Sequence, residues 1–107
     1  MEKQYHAHVY FNDDTRQVAH RLKARIKKTF DVEIGSFHEK LVGPHPNWSY
    51  QIKFSGRAFG EIVPWLMRNR DGLTIFIHSC TGDNYSDHTK YVCWLGASKQ
   101  LKLGIFE

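Results

Sequence analysis

With 107 residues, 41% of them hydrophobic and 24% charged, the chain carries apolar surface for one compact core and too little for two. A single domain over 1–107 is therefore expected. No apolar run approaches the ~20 residues of a membrane span, the opening MEKQYHAHVY has no signal-peptide core, and Cys80 and Cys93 are too few and too far apart for a stapled secreted scaffold or a CxxC zinc module. A cytoplasmic protein with ordinary thiols and no membrane partner follows as the expectation. The net charge of +4 gathers mostly in Arg16, Arg21, Lys23, Arg25, Lys27 and Lys28, which reads as the solvated side of one helix.

Residues 5–11, YHAHVYF, alternate so that Tyr5, Ala7, Val9 and Phe11 share one side of a strand and His6, His8 and Tyr10 the other. Asp13 or Asp14 then offers a helix cap, and Val18, Leu22, Ile26 and Phe30 recur every four residues as an amphipathic helix. From Gly35 a second alternating run sets Phe37, Glu39 and Leu41 against Ser36, His38 and Lys40, which assigns Phe37 and Leu41 to the core before GPHPN breaks the strand. In the third run, SYQIKF, Tyr50, Ile52 and Phe54 point inward and Ser49, Gln51 and Lys53 outward.

Phe59, Ile62, Val63 and Leu66 mark a second helix ending near Asp71 and Gly72. Pro64 implies a kink or a start near Glu61, because its ring clashes with the carbonyl four residues back, that of Gly60. Strand four, LTIFIH, divides Leu73, Ile75 and Ile77 from Thr74, Phe76 and His78. After the loop SCTGDNYSD, HTKYVCWLG reads as a short helix capped by Ser86 or Asp87 and ended by Gly96. Leu101, Leu103 and Ile105 then alternate as one more short strand.

The order β-α-β-β-α-β is that of the α+β ferredoxin-like sandwich, here with a C-terminal helix and a short extra strand. Strands one and three belong in the centre, with strand four beside strand one. With every apolar side turned to the helices, His6, His8, His38 and His78 all project from the opposite, open face. His8 and His78, from adjacent strands, are the first-choice ligands of a divalent metal, since imidazole suits iron, zinc, copper and nickel. His6, two residues along, ligates as a third donor, supports the others, or serves in acid/base chemistry. A carboxylate from Glu39, Asp83 or Asp87 and an all-histidine site are equally open ways of completing the set. His45 and His88 lie on loops able to fold over this face, where substrate binding and proton transfer are commonly placed, whereas His20 belongs to the basic helix surface.

Taken together, YHAHVYF at 5–11, FHEKLVGPHP at 37–46, VPWLMRNRDGL at 63–73, and IHSCTGD with DHTKYVCWLG at 77–83 and 87–96 resemble the DOPA 4,5-dioxygenase family. The resemblance implies extradiol opening of a catechol by O2 at a non-haem metal, Fe(II) by preference with zinc or nickel as alternatives. Histidines 6, 8, 38, 45, 78 and 88 match the family's motifs. Ser79 and Cys80 stand where the family usually has proline after the strand-four histidine, and Arg68 and Asp71 replace apolar and glycine choices, departures that bear on substrate preference rather than fold.

Within that reading His38, His45 and His88 are the acid/base candidates, Tyr10 on the open face bonds substrate or oxygen, and Trp48 and Trp94 are candidate pocket walls. The expected partners are a small catechol and O2, with the chain as a homodimer. RNA-binding sheets of this type stack bases on central-strand aromatics, whereas here those positions hold His6, His8, Ser49, Gln51 and Lys53, so no nucleic acid is expected. The alternative is a non-catalytic metal- or small-ligand-binding domain of the same fold.

Overall fold

Alternation in YHAHVYF becomes the central strand, β1 (Gln4–Phe11), in a structure, a computed structural model, that describes residues 3–106. The chain continues through α1 (Arg16–Thr29), β2 (Glu33–Ile34), β3 (Trp48–Ser55), α2 (Gly56–Asn69), β4 (Thr74–Ser79), α3 (Asn84–Asp87) and β5 (Val92–Leu95), and ends in a 3-10 turn at Leu103–Phe106. The five strands pair antiparallel in the order β2-β3-β1-β4-β5. This is the expected ferredoxin-like α+β arrangement, with β1 between β3 and β4.

One face of the sheet forms the core. Ala7, Val9 and Phe11 of β1, Tyr50, Ile52 and Phe54 of β3, and Ile75 and Ile77 of β4 pack against Ala19, Leu22 and Ile26 of α1 and Ile62, Val63 and Leu66 of α2. Burying each large aliphatic side chain stabilises the fold by about 1.5–3 kcal/mol. The buried Tyr50 hydroxyl is satisfied by donating to the Ala19 carbonyl at 3.2 Å, which ties α1 to β3.

Helix boundaries depart from the sequence reading in two places. Neither Asp13 nor Asp14 caps α1; its N-cap is Thr15, and Asn12 supplies the local hydrogen bond by accepting from the Thr15 N–H at 3.0 Å. The second helix starts at Gly56, not near Glu61, and runs through Pro64. Pro64 and Gly60 both lie on the exposed side of the helix, so the carbonyl that loses its partner faces water and the break costs little. The end is as expected, with Asp71 (φ 52°) and Gly72 (φ 83°) turning the chain into β4.

The second strand is shorter than expected. After two paired residues, Glu33 with Lys53 and Ile34 with Ile52, an unbroken register would place Phe37 opposite Ser49. The bridge to Ser49 is instead made by His38, so one extra residue has been accommodated, as in a β-bulge. That slip turns Phe37 to the core, stacked on Phe11 at 4.2 Å, and leaves His38 on the other face. Leu41, assigned to the core from the alternation, is 50% exposed, because the chain has by then left the sheet.

The order of elements after β4 is also corrected. Helical structure is confined to Asn84–Asp87, capped by Asp83 and not by Ser86 or Asp87. Val92–Leu95, read as helix, is a strand paired to β4 through Ile75–Leu95, Phe76–Trp94, Ile77–Cys93 and His78–Val92. The exposed N–H and C=O groups of β4 need a partner, and a Val-Cys-Trp-Leu run suits a strand at least as well as a helix. Gly96, at φ 89°, ends it. The tail around Leu103 forms the 3-10 turn, not a strand.

Candidate metal centre

The second face of the sheet is not open. His8 is 5% exposed and His78 4%, because the segment from Gly43 to Pro46, the loop with α3, and the terminal 3-10 turn fold across it. Beneath that roof lies a cleft of about 430 Å³ lined by His6, His8, His45, His78, His88 and Phe106, among others. A larger recess of about 620 Å³ opens beside Lys3, Tyr5, Cys80 and Tyr91; no histidine lines it, so the chemistry belongs to the smaller one.

Register brings the imidazoles together. His6 is directly opposite His78 across β1 and β4, whereas His8 is opposite Phe76 and reaches His78 along the diagonal. The Nε2 atoms of His8 and His78 are 3.0 Å apart, with the rings nearly parallel at 14°. Ligand atoms of His6, His8 and His78 all lie within 4.8 Å of one another. Two nitrogens each about 2.0–2.1 Å from a shared ion sit roughly 3 Å apart, so the pair has the spacing of co-ligands.

Protonation favours the same role. The Nδ1–H of His78 donates to the Ser79 carbonyl at 2.8 Å, leaving Nε2 with its lone pair toward His8. Burial is the main force lowering the pKa of His8, His78, His45 and His6. For His8 the nearby imidazoles add to it, and for His6 the Lys53 charge does. His78 and His45 are held down at about 4. Neutral imidazoles are what a metal requires.

Among the described residues no carboxylate joins the three histidines. Glu39 pairs with Arg16 at 3.0 Å, and Asp83 caps α3 by accepting from the Ser86 N–H. Asp87, though buried, uses its two oxygens to accept from the Thr81 N–H at 2.8 Å and hydroxyl at 2.7 Å. Asp87 therefore works as the anchor of the loop that carries His88, a role the sequence did not suggest.

The two loop histidines reach the cluster. The His45 ring lies 4.0 Å from that of His8, and its Nδ1 is 2.7 Å from the Tyr10 hydroxyl. Its loop is fastened to the tail by the Lys102 N–H donating to the Pro44 carbonyl. His88 lies 4.2 Å from His78, and its Nδ1–H donates to the Asn84 carbonyl at 2.7 Å. Phe106 covers it at 4.7 Å. Burial pushes the Tyr10 phenol up from its ordinary range, so it stays protonated.

The structure does not bring His38 to the cluster: it stands in an adjoining recess with Val42, Ser49 and Gln51, which His8 and His45 also line. Trp48 packs on Phe11 in the core face and does not wall the site. Trp94 is on the imidazole side, against Phe76 at 4.5 Å. His20 is exposed as expected, and stacks on Phe37 at 3.8 Å. The sequence reading missed Phe106 and Phe76. Phe76, an apolar residue alternating with His78 on the polar side of β4, was the available sign that this face is covered.

The sequence profile of the Dopa 4,5-dioxygenase family matches residues 5–105. The chain belongs to this family. Among its relatives are the DOPA 4,5-dioxygenase of Amanita muscaria, 29% identical over 110 residues, and an uncharacterised 21.2 kDa protein of Botryotinia fuckeliana, 30% identical over 113. Each alignment takes in 94% of this chain but only 48% and 62% of those proteins' own lengths. The crystal structure of a candidate dioxygenase from Nostoc punctiforme superposes with a TM-score of 0.94 at 43% identity, covering 97% of this chain and 90% of that one. The triad of His6, His8 and His78, the last two buried, is fit for a metal ion.

Proposed function

We propose that the protein is a metal-dependent extradiol dioxygenase that opens a catechol ring with O2, its ion held by His6, His8 and His78. The observation that carries this reading is the 3.0 Å approach of the His8 and His78 Nε2 atoms, with His6 within 4.8 Å of both. Fe(II) is the ion the reaction calls for, as Mg-type cations prefer oxygen ligands and this donor set is all nitrogen. When bound, it would supply Lewis acidity toward the two catechol oxygens and the redox activity that O2 requires.

The protein's own part is positioning and proton movement. With its Nδ1–H committed to Asn84, His88 presents an Nε2 lone pair, the base for a catechol hydroxyl. Tyr10, kept a phenol by burial, donates to Nδ1 of His45, which leaves the Nε2–H of that ring as a hydrogen-bond donor for substrate, while the proton taken up by His88 is the one returned to the product. Phe106 and Ile105 narrow the cleft and limit water. His38, in the adjoining recess, forms a wall. In the net reaction the ring bond beside the diol breaks, and both atoms of O2 enter a muconic semialdehyde.

The test is to load the protein anaerobically with Fe(II), then admit air with caffeic acid or DOPA. A yellow semialdehyde is expected. Colourless solutions across a catechol panel, with metal bound, would favour a non-catalytic metal-binding domain.

A further inference from the structure

The cleft has a charged rim that its three ligand histidines do not explain. Lys53 is exposed on the imidazole face of β3, directly opposite His6 in the β1–β3 register. Such pairs hold their Cβ atoms about 4.5–5.5 Å apart. The ammonium acts on both His6 and Cys80, and each of these lines the cleft. Glu33 is its neighbour on β2, yet among the described residues no carboxylate forms an ion pair with Lys53.

Among the described residues no lysine or arginine lines the cleft itself, and its fixed negative charge is Asp87, engaged by Thr81 on the side of α3. The site is therefore polar in a definite sense, with a carboxylate toward α3 and an unpaired ammonium toward β3. A ligand whose hydroxyls meet His6, His8 and His78 has one favourable direction for an anionic substituent, away from Asp87 and toward Lys53.

We propose that Lys53 is the specificity-determining residue of this site, pairing with a carboxylate carried on the side chain of the catechol. This rests on the catechol-cleaving reading above. The ammonium orients the ring and selects acidic catechols over neutral ones, and takes no part in bond breaking.

The test compares caffeate with 4-methylcatechol in the Fe(II)-loaded protein, by turnover and by anaerobic calorimetric titration. Lys53→Ala should lower the caffeate-to-4-methylcatechol ratio of kcat/KM, and of affinity, by about fivefold, the size of an exposed ion pair. Lys53→Glu should lower it further, Lys53→Arg should restore most of it, and the wild-type preference should shrink as salt rises. Equal losses on both substrates, or an unchanged ratio in Lys53→Glu, overturn the proposal while leaving the catechol reading intact. Failure of the wild type to bind or turn over either catechol overturns both.

Discussion

The Nε2 atoms of His8 and His78 meet at 3.0 Å although the two residues are not cross-strand partners: His78 faces His6, and His8 faces Phe76. The diagonal between antiparallel strands thus becomes a direct contact between the two imidazoles. Without a metal, one of these nitrogens donates its proton to the other; with one, both lone pairs turn to the ion. A buried imidazole pair of this kind is a poor stabiliser of the fold and a good ligand pair.

Removing either nitrogen should therefore abolish tight metal binding. His8→Ala and His78→Ala are expected to weaken Fe(II) or Zn(II) affinity by more than about 100-fold, measured by competition with a chromophoric chelator. Full metal content in either variant would refute the ligand assignment.

Tyr10→Phe keeps the ring that packs against Trp94 and His45 but deletes the hydroxyl on His45 Nδ1. Metal content should stay at the wild-type level while kcat falls by roughly 10–100-fold, the scale of a lost hydrogen bond that orients a site histidine. A variant with undiminished kcat would show that the Tyr10–His45 bond is structural.

Acid should destabilise the metal-free protein through its buried imidazoles. His45 and His78 are held at about 4 against an ordinary value of 6.5. Between those limits the unfolded chain binds protons that the folded chain refuses, so stability is lost as pH falls from 6.5 toward 4. Each such group contributes a slope of up to about 1.4 kcal/mol per pH unit. The thermal midpoint of metal-free protein should drop by several degrees between pH 7 and pH 5, and a saturating metal at pH 7 should raise it. A midpoint that holds or climbs at pH 5 contradicts neutral buried rings.

Asp87→Ala removes the acceptor of two hydrogen bonds from Thr81. Hydrogen bonds to a charged group are worth about 1.5–3 kcal/mol each, and partial solvation of the freed loop offsets part of that. A loss of about 3 kcal/mol in urea denaturation is expected, together with weaker positioning of His88 and a lower kcat. Unchanged stability would mean that the loop is held by other contacts.

Much of the site was legible in the sequence. β1 and β4 are long runs whose alternation separates histidine from aliphatic side chains, so the shared face of His6, His8 and His78 follows from period two alone. Their diagonal meeting does not, because register depends on pairing distant segments. Leu41 reads as core but is exposed because the alternation of the sequence continues beyond the point where the chain leaves the sheet. Val92–Leu95 reads as helix but forms a strand because its pairing is imposed by the edge of β4, a tertiary demand that local propensity does not express. The closed roof arises from loops without periodicity and from a tail that alternates like a strand but folds as a 3-10 turn, so Phe106 carried no sequence signal.

Whether His6, His8 and His78 together hold one metal ion is read out by X-ray absorption at the edge of the bound metal. One ion per chain with three imidazole nitrogens at about 2.0–2.2 Å is expected, with loss of that imidazole shell in His8→Ala. A shell of oxygen ligands without imidazole scattering, or an unchanged spectrum in the variant, would contradict it.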